Sequence, residues 1–199
     1  MELLASGREA EVYALDEGRV LRRYLHRPAA DGELAAMAWA WEAGYPVPRV
    51  HSVDGNDMVI DRLHGPTLAE ALLAGELSPA EGGALLAGLH NRLHALPGFV
   101  LHLDLHPENV IMSGTGPVVI DWATAEPGDP RLDTAMTSLI LAEVATSGQP
   151  WAGPAATLLA VYRAGVPDDA SHRAEALARR LGDFPEAEEA RIRRAAASL

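Results

Sequence analysis

The stretch His102-Leu103-Asp104-Leu105-His106-Pro107-Glu108-Asn109-Val110-Ile111, continued by Val118-Val119-Ile120-Asp121-Trp122, decides how this chain is read. Asp104, Asn109 and Asp121 are polar groups set tightly among apolar residues of strand type. Asp104 and Asn109 are close enough in sequence for one short loop to aim both at the same point. Ser113-Gly114-Thr115-Gly116 is turn chemistry, so residues 100–112 and 118–122 read as a hairpin-like pair that returns Asp121 opposite the other two. Such a set suits phosphoryl transfer. One carboxylate stands beside an acceptor hydroxyl, while a second carboxylate and an amide oxygen hold Mg2+ against nucleotide phosphates.

Upstream, residues 2–4, 10–15 and 19–24 are short extended candidates, divided by Ser6-Gly7 and by Asp16-Glu17-Gly18. Period two sends Val20, Arg22 and Tyr24 to one face. Residues 31–43 read as a helix that Gly44-Tyr45-Pro46-Val47-Pro48 ends, and residues 49–53 and 58–63 as two more strands around Asp54-Gly55-Asn56. Past Gly65-Pro66-Thr67 the period turns helical. Residues 67–73 form a short helix; a longer one opens at Ser78-Pro79-Ala80-Glu81 and shows its apolar stripe at Leu85, Leu86, Leu89, Leu93 and Leu96. Residues 132–146, 154–164, 168–181 and 185–198 also read as helices. The predicted architecture is α+β, with a small β-rich lobe over residues 1–62 and a mainly helical lobe over residues 63–199.

The motif His102-x-Asp104-Leu105-His106-Pro107-x-Asn109 followed by Ile120-Asp121-Trp122 resembles the aminoglycoside phosphotransferase and choline kinase family, which has a two-lobe protein-kinase-like fold. Gly128-Asp129-Pro130-Arg131-Leu132-Asp133-Thr134-Ala135 is similar to the segment that comes after the metal-binding aspartate in that family. The resemblance implies that Asp104 is the catalytic base or hydroxyl-orienting group and that Asn109 and Asp121 are Mg2+ ligands. It gives His102 and Asp133 structural roles, bracing the metal-binding segment and the catalytic loop; His106 lies near the acceptor side without an assigned role. In the first lobe it makes Ser6 and Gly7 part of a phosphate-covering loop that keeps a single glycine. It aligns Arg22 with a phosphate-binding lysine and Glu33 with the helix carboxylate that pairs with it. Arg23 competes for the lysine's place, but period two favours Arg22. Residues 58–63, with Asp61 and Leu63, align with the interlobe segment whose backbone meets a nucleotide base. The implied donor is ATP or GTP with Mg2+, and the implied acceptor a small-molecule hydroxyl.

Composition narrows the alternatives. There is no cysteine, which excludes disulfide scaffolds, thiolate zinc sites and thiol nucleophiles. The formal net charge of −12 argues against a nucleic-acid partner and is compatible with a cationic substrate, although an acidic surface that merely solubilises is the plainer account. No run approaches the roughly 18 apolar residues of a membrane span, and Met1-Glu2-Leu3-Leu4-Ala5 has neither region of a signal peptide, so the expectation is a cytoplasmic protein without membrane contact. All 16 basic residues are arginine, which leaves the usual phosphate-binding lysine without a candidate. Two rivals remain. His102, Asp104 and His106 at strand spacing, with His90 and His94 upstream, are plausible ligands of a metal hydrolase, although helix histidines are more often packed or solvated than ligating. The missing lysine also fits a non-catalytic nucleotide-binding protein on the same fold.

Overall fold

Turn chemistry and one central strand organise the first lobe in the computed structural model, which describes residues 1–7, 9–26, 28–98, 100–167, 169–181 and 186–199. Strands β1 (Glu2–Ser6), β2 (Ala10–Ala14), β3 (Arg19–Tyr24), β4 (Val50–Asp54) and β5 (Asp57–Asp61) form an antiparallel sheet in the order β1-β2-β3-β5-β4. Between β2 and β3 the Asp16 carboxylate accepts the Gly18 N–H at 2.9 Å and pairs with Arg19, which closes the turn. β3 is the middle strand, and Arg22 stands opposite Val12 on one side and Met58 on the other. Helix α1 (Asp31–Glu42) connects β3 to β4.

The second lobe contains α2 (Leu68–Leu73), α3 (Pro79–His94), α4 (Pro130–Ala145), α5 (Ala152–Gly165), α6 (Arg173–Leu181) and α7 (Glu186–Ala197). Thr67 with Glu70, and Ser78 with Glu81, form reciprocal capping boxes that fix the starts of α2 and α3. Helix α4 is buried continuously from Leu132 to Glu143, because α5, α6 and α7 all pack on it. One apolar core joins the lobes: Tyr24, Met37 and Met58 from the first, Leu86, Leu93, Trp122, Leu141 and Tyr162 from the second. The Tyr45 hydroxyl donates to Leu89 O, and Val119 N–H donates to Pro46 O across the same junction. Among the described residues no helix is long and apolar enough to cross a membrane.

Two sequence expectations need correction. Residues 100–112 are not one strand. β6 (Val100–Leu101) pairs with β9 (Glu126–Pro127); the chain then leaves the extended ladder, makes one 3-10 turn over Pro107–Asn109, and only afterwards forms the hairpin of β7 (Val110–Ser113) with β8 (Gly116–Val119). The cause is tertiary. Asp133 accepts the backbone N–H of both His102 and Leu103, and Leu103 adopts a left-handed φ of 64°. Residues 168–181 are likewise not one helix. Asp169 is drawn inward by the Ser138 hydroxyl (2.7 Å) and Arg173 (2.7 Å), leaving a separate 3-10 turn at Ala170–His172 before α6. The expected helix starts at Asp168 and Pro185 lie outside the described residues.

Candidate active site

Asp104 sits just past the left-handed Leu103, on a loop held from three sides. Asp133 Oδ1 and Oδ2 accept from Leu103 N (2.7 Å) and His102 N (3.0 Å), Thr124 Oγ1 donates to His102 O (2.8 Å), and Thr137 Oγ1 donates to Leu105 O (2.7 Å). His102 is fully buried. Its Nε2 donates to Ile120 O at 3.0 Å and its Nδ1 accepts from Asp104 N at 3.3 Å, so the two bonds select the neutral Nε2–H tautomer. Burial holds its pKa below the ordinary value. Its ring meets Trp122 edge-on with centroids 4.9 Å apart, tying the Asp104 loop to the segment after β8. His102 thus bonds Ile120 O beside Asp121, and Asp133 holds the backbone in front of Asp104.

The β7–β8 hairpin brings the other two polar groups alongside. Val110 pairs with Val119, and Ile120 N–H donates to Asn109 O at 3.0 Å, so Asp121 emerges one residue beyond Asn109 on the same end of the hairpin. Asp121 is itself left-handed, with φ 62°. The amide nitrogen of Asn109 faces Asp104 O (2.9 Å), Asp104 Oδ2 (3.1 Å) and His106 Nε2 (3.2 Å). Its amide oxygen is therefore the end left for a cation. His106 Nε2 lies 3.6 Å from Asp104 Oδ2. Burial opposes ionisation of Asp104, but the neighbouring His106, joined by His102 and Arg180, offsets it and leaves the carboxyl below its usual pKa.

From the first lobe Arg22 reaches over this hairpin. Its guanidinium donates to Glu33 Oε1 at 3.2 Å and to Asp121 Oδ1 at 2.9 Å, and lies 4.9 Å from the centre of the Tyr24 ring. Arg23 points elsewhere, in a two-pronged pair with Asp57. The sequence reading missed Tyr24, whose hydroxyl donates to the same Glu33 oxygen at 2.8 Å. Its place beside Arg22 at period two was the available signal; the bond itself depends on α1. Ser6 and Gly7 lie at the β1–β2 turn, where Gly7 N–H donates to Ala10 O, and no bond connects them to Arg22 or Asp121 among the described residues. Asp61 is engaged locally, by Arg49 N and His51, and Leu63 begins the connection after Arg62 N–H donates to Gly18 O. His90 and His94, expected to be packed or solvated, face Asp133 and not the Asp104 loop, so they do not complete a His102–Asp104–His106 metal set.

A family model described as the phosphotransferase enzyme family matches residues 1–99 and 68–177. The chain belongs to this phosphotransferase family. Among solved structures, this phosphotransferase is similar to one titled the streptomycin–ATP–APH(2″)-IIa ternary complex, with a TM-score of 0.59 and 15% identity over 88% of this chain and 84% of that one. That likeness establishes the fold, which is the two-lobed, α+β protein-kinase-like fold. No curated protein matches the phosphotransferase by sequence.

Proposed function

We propose that this phosphotransferase moves the γ-phosphoryl group of ATP or GTP to a hydroxyl of a small molecule. The observation that carries the reading is the Asn109–Asp104 contact at the end of the hairpin where Ile120 bonds Asn109 O, with the next residue, Asp121, paired to an arginine that Glu33 anchors. The oxygen donors fit Mg2+, which takes hard ligands and keeps several for substrate phosphates. Asn109 presents its amide oxygen and Asp121 a half-open carboxylate, 43% exposed. When bound, Mg2+ neutralises charge on the transferring phosphoryl group. Asp104, ionised at neutral pH, accepts a hydrogen bond from the acceptor hydroxyl and orients its oxygen. A carboxylate of depressed pKa is a weak base, so proton transfer to it comes late, as the new P–O bond makes the hydroxyl acidic. Arg22 binds phosphate oxygens from above while Glu33 and Tyr24 hold its position.

The test is a nucleotide-consumption screen over hydroxyl acceptors, cationic ones included because of the acidic chain, with Asp104→Asn as the blank. The expected result is turnover that falls about 10²–10⁴-fold in the variant. An Asp104→Asn protein as fast as wild type overturns the assignment of that residue. Nucleotide binding with no turnover on any acceptor favours the non-catalytic alternative, for which the direct Arg22–Asp121 pair is the structural argument.

A further inference from the structure

We propose that His90, His94 and Asp133 form a zinc site, separate from the oxygen donors of Asn109 and Asp121 and independent of the nucleotide reading. His90 and His94 are one helical turn apart on α3 and face Asp133 on α4. Asp133 Oδ2 lies 3.0 Å from His94 Nε2 and 3.5 Å from His90 Nε2, and all three donor atoms fall within 4.8 Å of one another. In a tetrahedral zinc site with bonds of about 2.0–2.1 Å, neighbouring donors stand about 3.3–3.4 Å apart. The two distances to the carboxylate bracket that edge.

The Asp133 carboxylate accepts the Leu103 and His102 N–H groups, and no positive charge other than an imidazolium faces it among the described residues. Asp133 is fully buried, and its ion-pair partners among the described residues are the two imidazoles alone. A proton on His94 would supply one partner at hydrogen-bonding distance, but it leaves His90 unexplained. His90 Nε2 is completely buried, makes no hydrogen bond, and points towards the same carboxylate oxygen from the limit of hydrogen-bonding range. A shared metal ion uses that nitrogen's lone pair as well as the other two donors. The opposite edge of the ring is already oriented, because His90 Nδ1 lies 2.6 Å from the Tyr162 hydroxyl, the kind of outer contact that fixes a ligating histidine. Two imidazoles and one carboxylate select zinc over magnesium. The rings are stacked at 5.0 Å and 15°, so their lone pairs run side by side, and loading requires one ring to turn. His94 is the ring at the open edge, 9% exposed against 0% for His90. Bound there, the ion would clamp α3 to α4 through the residue that holds the backbone in front of Asp104.

The test uses the full chain, stripped with a chelator and titrated with Co2+ and then Zn2+. One equivalent of Co2+ should give the visible absorption of a four-coordinate ion, lost on adding Zn2+, and X-ray absorption on the zinc-loaded wild type should count two imidazoles. His90→Gln should weaken uptake at least tenfold and Tyr162→Phe about 10–100-fold, while Asp121→Asn leaves it unchanged. The wild-type imidazole count stands even if His90→Gln fails to fold. Absence of a bound equivalent, a count of one imidazole, uptake unaltered in both His90→Gln and Tyr162→Phe, or uptake lost in Asp121→Asn would each overturn the site.

Discussion

Arg22 is where a single side chain does most to define this site. A lysine would place a compact ammonium between carboxylates and phosphate; arginine's fork instead bridges Glu33 and Asp121 with separate N–H groups, 15% exposed and over the Tyr24 ring. A buried, charge-assisted contact of this kind is worth about 1.5–3 kcal/mol. Arg22→Ala should therefore lower nucleotide affinity or turnover roughly ten- to a hundredfold. Glu33→Ala should do much the same, and the double variant little more, since the two residues act as one unit. Arg23→Ala should bind nucleotide normally, because its partner Asp57 lies away from the hairpin. Calorimetric titration of the four proteins decides it; normal binding by Arg22→Ala with loss in Arg23→Ala would reverse the assignment. Titration of two other residues sets how stability responds to acid. Burial depresses the His102 pKa, so as pH falls through about 6.5 the unfolded chain takes up a proton that the native state refuses. Stability should then fall as the pH drops below about 7. Burial of Asp133 opposes its ionisation, but in the metal-free chain His90 and His94 hold it well below its ordinary pKa, so its contribution is present above about pH 4 and lost below. Denaturant midpoints from pH 7.5 to 3.5 should show both falls, and the first should vanish in a folded His102→Gln variant.

Helix α3 shows what an element owes to its sequence and what it owes to its neighbours. A Cβ on Gly83 would run into the Leu158 carbonyl of α5, whereas Gly88 on the exposed side has nothing within 4 Å. Gly83→Ala should therefore cost about 1–3 kcal/mol by overpacking, and Gly88→Ala should gain up to about 1 kcal/mol of helix propensity. The thermal midpoints should move in opposite directions, by about 2–4 °C per kcal/mol in a chain of this size. Equal responses would mean that α3 and α5 are not in contact at Gly83. The start of α3 was legible because capping is local chemistry: Ser78, Pro79 and Glu81 announce it within four residues. The first-lobe strands were legible for the same reason, since Asp16-Glu17-Gly18 and Asp54-Gly55-Asn56 enclose them. Residues 102–109 were not, because their apolar alternation imitates a strand while Asp133, some thirty residues on, bends the backbone at Leu103. His90 and His94 gave a similar difficulty. Their one-turn spacing was visible, but the carboxylate and hydroxyl they meet come from α4 and α5. The site motif itself could be read because Asp104, Asn109 and Asp121 are close in sequence; the Tyr24–Glu33 bond could not, since it joins β3 to α1.

At the scale of the molecule, the two lobes meet at the place where the nucleotide is proposed to bind. Arg22 on the middle strand of the sheet touches Asp121, the residue proposed to hold Mg2+, and the apolar core runs beneath both. A ligand that engages both lobes binds only the native arrangement, so it must stabilise the whole chain by mass action. At a hundred times its dissociation constant the gain is about 2.7 kcal/mol. For a chain of this length that corresponds to a rise of roughly 5–10 °C in the thermal midpoint. With Mg2+ proposed to sit on Asn109 and Asp121, a chelator should remove much of the shift, and Asp121→Asn should lose the Mg2+-dependent part while Asp104→Asn keeps it. That contrast separates binding from chemistry, since Asp104 is assigned to the acceptor and Asp121 to the metal. The acidic chain adds a second signature. At a net charge of −12 it repels an anionic nucleotide over long range, so association should quicken as salt rises from low ionic strength, opposite to the behaviour of a cationic acceptor. Scanning calorimetry with and without chelator, and stopped-flow binding at two salt concentrations, measure the two effects. A thermal shift that ignores the chelator in wild type and is unchanged in Asp121→Asn would remove Mg2+ from the hairpin end and, with it, the proposed division of labour between Asp104 and Asp121.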